Sequence, residues 1–115
     1  MVESFIVKNY MSYRDQVELS FLASKKEKSS ALPPEWYQEI DGKRILRLLL
    51  CVGLNGTGKS KMFSALNYLR MIATNKPDKP DDRPKYRPFL LDDDSRNKPT
   101  VLTISYYIGN TCWRN

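Results

Sequence analysis

Gly53-Leu54-Asn55-Gly56-Thr57-Gly58-Lys59-Ser60 completes the spacing G-x-x-x-x-G-K-[ST], and its flanks restrict what the surrounding chain can become. Ile45-Leu46-Arg47-Leu48-Leu49-Leu50-Cys51-Val52 precedes it, a nearly continuous apolar run of the kind found in a strand buried on both faces. Lys61 to Ala73 follows it without Gly or Pro, and Met62, Leu66, Leu69 and Ala73 recur at helical spacing. The expected order is therefore strand, glycine loop, amphipathic helix. This is the setting in which such a loop holds phosphate, and it makes a chance glycine turn the poorer reading.

Residue type explains the chemistry. Gly53, Gly56 and Gly58 admit backbone torsions closed to residues with a Cβ and let the chain approach phosphate oxygens. Backbone N–H groups from Gly56 through Thr57 and Gly58 to Lys61 can then turn inward as an anion nest, aided by the helix N-terminus. Lys59 supplies a mobile ammonium for the outer phosphates. Ser60 supplies a hydroxyl for Mg²⁺, a cation that keeps most of its ligands as water and phosphate oxygen.

A chain of 115 residues holds one small domain, so residues 1–115 are read as a single unit. The net charge of +6 favours anionic partners, but the basic residues are spread along the chain and mark no nucleic-acid groove. Cys51 and Cys112 form no C-x-x-C pair, and the absence of histidine leaves no zinc set, so a reduced, cytoplasmic chain is expected. The N-terminus lacks the charged lead and apolar core of a signal peptide, and no apolar stretch is long enough for a membrane span.

Phe5-Ile6-Val7 and the alternating Gln16 to Phe21 predict two strands paired as a hairpin across a turn near Ser12 to Asp15. Residues 24–34 predict an exposed loop. Glu35 to Ile40 predicts an edge strand, joined through Asp41-Gly42 to a strand over Lys43 to Val52. Residues 75–99, rich in Pro and charge, predict a mobile loop, and Thr100 to Ile108 a further strand. Gly109 to Asn115 continues none of these patterns. The fold class expected is α/β: a partial P-loop NTPase fold, with an N-terminal β-hairpin, strand–P-loop–helix and one more strand.

Two blocks together carry a resemblance. Phe5-Ile6-Val7-Lys8-Asn9-Tyr10-Met11-Ser12-Tyr13 is similar to the h-x-h-x-N-[FY]-[RK]-S-[FY] start of ABC-type head domains in chromosome-maintenance and recombination ATPases, and the loop with Asn55 at its third position looks like theirs. The chain more closely resembles bacterial AAA-type ATPases related to the overcoming-lysogenization-defect group. These share an insertion before the P-loop strand and a P-F-x-h-D segment, here Pro88-Phe89-Leu90-Leu91-Asp92. The resemblance implies ATP with Mg²⁺ as ligand and puts Asn9 and Ser12 on the nucleotide side. As turn residues, both are equally explained by capping a hairpin. It implies a homodimer or a partner ATPase chain as possible partner, and nucleic acid only through the parent family. The chain departs from the pattern at Met11, where Arg or Lys is usual.

Two further matches are set aside. Phe89-Leu90-Leu91-Asp92-Asp93-Asp94 imitates a Walker B strand, but Pro88 and a three-residue apolar run argue against a central strand. Asn75-Lys76-Pro77-Asp78 imitates a guanine-reading motif, but it directly follows the P-loop helix with no D-x-x-G between. An ATPase of this type also needs a Mg²⁺-ordering carboxylate, a water-sensing Gln and a serine-glycine signature loop. The only Gln residues, Gln16 and Gln38, precede the P-loop, and no Ser-Gly-Gly occurs. Efficient hydrolysis by this chain alone is therefore not expected. It reads as the N-terminal part of an ATP-binding head, with a small non-catalytic nucleotide-binding or protein-interaction module as the alternative. Uncovered sheet edges and helix faces would leave it marginally stable or prone to aggregate.

Overall fold

The structure, a computed structural model, describes residues 1–24, 32–54, 56, 58–74 and 87–115. The architecture is mixed α/β. In chain order it comprises β1 (Val2–Lys8), β2 (Val17–Ser20), β3 (Tyr37–Ile40), β4 (Lys43–Leu46), α1 (Lys59–Thr74), α2 (Asp93–Arg96), β5 (Val101–Ile108) and β6 (Thr111–Arg114). The strands form one sheet in the order β2-β1-β5-β6 and a second of β3 and β4. The chain divides into two compact units, one from Met1–Phe5, Glu18–Cys51 and Thr103–Asn115, the other from Ile6–Val17 and Val52–Leu102.

In the first unit both hairpins follow from their turns. Asp41 and Gly42 stand at φ 51 and 69, the left-handed pair of a type I′ turn, and set the register Tyr37↔Leu46 to Ile40↔Lys43. Arg44 lies over the Tyr37 ring, 4.9 Å from its centroid. Gly109, at φ 60, opens the two-residue turn that pairs Ser105↔Arg114 through Ile108↔Thr111. The tail beyond Gly109, unassigned from sequence, is therefore strand β6. Gly109-Asn110 between a β-rich run and Thr111-Cys112-Trp113 is a hairpin signal in its own right.

Met1 and Tyr107 exchange both backbone hydrogen bonds, the signature of an antiparallel pair. Phe21 N–H donates to Glu3 O, and Leu46 N–H donates to Phe21 O, which ties the end of β2 to β4. Ile40, Ile45 and Tyr107 form the buried core here, with Met1 and Phe21 packed against it. Glu3 accepts from Lys43 Nζ at 3.0 Å.

The second unit holds the tip of the first hairpin and both helices. Tyr10 and Tyr13 exchange backbone hydrogen bonds across Met11-Ser12, so the turn is tighter and earlier than the expected Ser12 to Asp15. Helix α1 covers the expected 61–73 and buries Met62 as expected, but the rest of its buried face differs. Met62 and Ala65 are buried, and Ser64 and Tyr68 meet Tyr10, through its hydroxyl at 3.2 Å and its ring at 5.6 Å. Leu66 and Ala73, expected inside, are exposed. Helical spacing alone fits either stripe, and Tyr10, more than fifty residues earlier in the chain, selects the one it touches.

Three more expectations need correction. The strand expected over 43–52 ends at Leu46. Leu48, Leu50 and Val52 lie outside any strand, 80%, 82% and 82% exposed. A strand buried on both faces needs neighbours on both edges and cover on both faces, whereas β4 pairs along its length with β3 and on its other edge meets only the short stretch Phe21 to Ala23, beside Arg44 to Leu46. The segment expected to start a strand at Glu35 begins as a 3₁₀ turn over Pro34–Trp36. The expected loop 75–99 contains α2, capped by Asp92, whose carboxylate accepts from Asp94 N–H and Ser95 Oγ, both at 3.1 Å. Most of loop 24–34 and Asn75-Lys76-Pro77-Asp78 lie outside the described residues. Among the described residues no helix is long and apolar enough to cross a membrane.

Two groups make the fold sensitive to alkali. The hydrogen bond to Glu3, followed by one to Tyr107, raises the Lys43 pKa above its ordinary value. Burial, then the neighbouring Tyr10, raises that of Tyr68, against an opposing pull from Arg87. In both cases the folded state retains a proton that the unfolded state releases first. The associated stability is complete below about pH 10 and falls as pH rises through the raised values. Thermal midpoints recorded from neutral pH upward should decline above about pH 10. A flat profile there would contradict both contacts.

Candidate phosphate-binding site

The glycine loop lies in the second unit, at the N-terminus of α1. Gly56 and Gly58 adopt φ 84 and 94, a region that L side chains rarely enter. Helix α1 begins at Lys59, and Gly58 O accepts from Lys61 N–H at 3.0 Å and Met62 N–H at 3.2 Å, starting the helical ladder. The Lys61 N–H, expected in the anion nest, is thus engaged with Gly58. Ser60 is exposed on the first turn, which leaves its hydroxyl accessible.

Lys59 Nζ donates to Gly53 O and, at 2.7 Å, to Leu54 O. The ammonium curls back over its own loop, where phosphate oxygens would compete with these carbonyls. Asn55 and Thr57 lie outside the described residues.

Tyr13, to which the sequence assigned no role, buttresses this loop. Its hydroxyl donates to Gly58 O at 2.6 Å, and a Cβ added at Gly58 would stand 3.0 Å from Tyr13 Oη. A pairing across 45 residues leaves no local signature in the sequence.

The structure separates the two N-terminal candidates. Ser12 is exposed and shares a cleft of about 640 Å³ with Met11, Gly56, Arg87 and the stretch 88–91. Asn9 is 3% exposed and its amide is fully engaged. Nδ2 donates to Ser95 O at 2.8 Å and Lys98 O at 2.7 Å, while Oδ1 accepts from Phe89 N–H at 3.1 Å. It borders a different cavity of about 490 Å³, with Lys8, Arg14, Asp92 and Lys98 among its walls. Asn9 thus holds backbone together, whereas Ser12 faces open space beside the loop.

Phe89-Leu90-Leu91, the imitation of a Walker B strand, is irregular, and the Asp92 carboxylate is occupied by its cap. Among the described residues no group of three or more His, Cys, Asp or Glu side chains is placed to hold a metal ion. A Mg²⁺ ion bound mainly through water and phosphate fits the one hydroxyl that Ser60 offers, since this metal rarely takes an all-protein cage. Comparison with family models, curated proteins and solved structures finds no match for this chain.

Proposed function

We propose that the chain binds ATP with Mg²⁺ through residues 53–60, as the phosphate-binding segment of an AAA-type, ABC-like ATPase with a P-loop NTPase ancestry. One observation carries this reading. Two glycines at positive φ lead directly into the first turn of a sixteen-residue helix whose opening residues are Lys59 and Ser60. The helix N-terminus contributes N–H donors and the positive end of its dipole. Lys59 exchanges its loop carbonyls for phosphate oxygens, and Ser60 ligates the metal. Bound Mg²⁺ would neutralise phosphate charge there.

The role assigned is binding rather than turnover. Asp92, the acid of the Walker B imitation, is engaged as a helix cap and so is not offered for ordering a metal-bound water. Hydrolysis would need such an acid from elsewhere, for instance from a second copy or a partner ATPase chain.

A second reading, an interaction module, rests on the exposed run before the loop. Leu48, Leu50, Val52 and Leu54 are each at least 80% exposed, and successive apolar side chains of this kind favour contact with another protein surface. Calorimetric titration of Mg²⁺-ATP into the chain and its Lys59→Ala variant separates the two. Saturable binding by the parent should weaken by about tenfold or more in the variant, as a charge-assisted contact is removed. Equal signals from both would remove the nucleotide reading and leave the interaction module.

A further inference from the structure

We propose that β6 is a self-pairing edge, joining two copies of this chain into one continuous sheet across a two-fold axis at Trp113. The sheet order β2-β1-β5-β6 leaves β6 outermost, and all four of its residues are exposed. The contact uses only residues of the first unit. It needs no nucleotide, and so stands apart from the role proposed for the glycine loop.

The ladder fixes which groups face outward. Ile104 and Asn115 exchange both backbone hydrogen bonds, at 2.9 and 3.0 Å, and are a hydrogen-bonded pair. Alternation along the register then makes Tyr106↔Trp113 and Ile108↔Thr111 bonded pairs, and Ser105↔Arg114 and Tyr107↔Cys112 non-bonded ones. Tyr107 agrees with this phase, since its own N–H and C=O go to Met1 on the other side. Cys112 and Arg114 therefore turn their backbone N–H and C=O away from β5, toward the open edge.

A second β6 running antiparallel satisfies these groups best in one register. With Trp113 opposite Trp113 of the second copy, Cys112 stands opposite the second copy's Arg114, and the reverse. Every outward N–H and C=O of the two residues then has a partner. Centring on Arg114 instead would set like charges face to face. Centring on Cys112 would put Arg114 opposite Asn110, which lies in the turn rather than the strand.

The side chains suit the same register. Trp113, 51% exposed, shares a sheet face with its cross-strand neighbour Tyr106 and with Ile108, 65% exposed. Pairing at the axis makes an unbroken aromatic row of Tyr106, Trp113 and the second copy's Trp113 and Tyr106. The two tryptophans meet at a non-hydrogen-bonded position, where cross-strand side chains approach most closely. On the opposite face Arg114 Nε donates to Ser105 Oγ at 3.2 Å, and Cys112 Sγ reaches Glu3 Oε2 at 3.5 Å. Both outward residues are thus ordered before pairing. A strand pair this short falls below the roughly 1,200 Å² of a standard interface, so the dimer is weak, with a dissociation constant of about 10 to 100 μM.

Sedimentation equilibrium of the full chain without nucleotide, over concentrations that bracket this value, reads the association. The parent should pass reversibly from monomer to dimer. Trp113→Lys sets two cations across the axis, and Arg114→Pro removes an outward N–H without touching the ladder to β5. Each should weaken the dimer about tenfold or more. Thermal melts establish that the variants are folded, and either one that folds carries the test. A parent that stays monomeric overturns the proposal, as does a dimer of parental strength in a folded variant. Association that appears only with Mg²⁺-ATP overturns it too, because the edge needs no ligand. Growth beyond the dimer does the same, because a two-fold contact closes.

Discussion

Asn9→Ala should lose about 3 to 6 kcal/mol of folding stability, a large share of the 5 to 15 typical of a domain this size. The side chain is small, but it joins three stretches of backbone. Its amide donates to Ser95 O and Lys98 O and accepts from Phe89 N–H, and its own carbonyl accepts from Thr100 Oγ1 at 2.6 Å. Truncation removes the side-chain partner of two carbonyls and one N–H in a buried to part-buried place; Ser95 O keeps Lys98 N–H at 3.3 Å, while Lys98 O and Phe89 N–H lose theirs at about 1 to 3 kcal/mol each. The backbone adds a smaller term, because Asn9 sits at φ 51, where asparagine is tolerated better than alanine. Asn9→Gly relieves only that term, so it should recover about 1 kcal/mol relative to alanine and no more. Asn9→Asp keeps the acceptor but loses both donors and aims a charge at two carbonyls, so it should be at least as damaging as alanine. Urea denaturation of the three variants checks the series. An alanine variant within about 1 kcal/mol of the parent would show that these bonds hold nothing together.

Gly58→Val should abolish measurable Mg²⁺-ATP binding and destabilise the chain by about 2 kcal/mol or more. Gly58 stands at φ 94, a torsion strongly disfavoured for a β-branched residue. Its new Cβ would also meet Tyr13 Oη at 3.0 Å and Cζ at 3.3 Å. Retreat of Tyr13 would break the hydroxyl bond to Gly58 O, so the loop must change shape at the point where its N–H groups would face phosphate. A double-mutant cycle separates the two causes. In a Tyr13→Phe background, Gly58→Ala loses the contact with the hydroxyl but keeps the torsional strain. Part of the stability should return while binding stays lost. Recovery of binding in that background would assign the effect to crowding rather than to the loop torsion. Parental affinity in Gly58→Ala alone would mean that the loop's observed shape is not the one that meets the ligand.

The loop, the helix after it and most strands were legible in the sequence because each is specified within a few residues. Asp41-Gly42 requires left-handed torsions, Val101 to Ile108 is β-branched and aromatic, and Lys61 to Ala73 lacks breakers. The errors have a common origin. Apolar periodicity states that a residue is suited to burial, without stating what will cover it. Leu48, Leu50 and Val52 have the composition of a central strand, but no strand flanks them in the sheets described. Leu66 and Ala73 fall on the helical stripe, but Tyr10 packs at Ser64 and Tyr68 instead.

What the sequence determined by itself is the glycine loop and the helix behind it: glycines where torsions are extreme, a lysine and a serine at the helix start. Those properties are local and survive in any fold that places a helix behind the loop. Tertiary structure alone decided that Asn9 is a fastener while Ser12 faces the cleft. It also recruited Tyr13 and Arg87 to the loop's surroundings. Such roles depend on which distant backbone carbonyl or empty volume a side chain meets. That is settled only when segments far apart in the chain compete for the same space and the same hydrogen bonds.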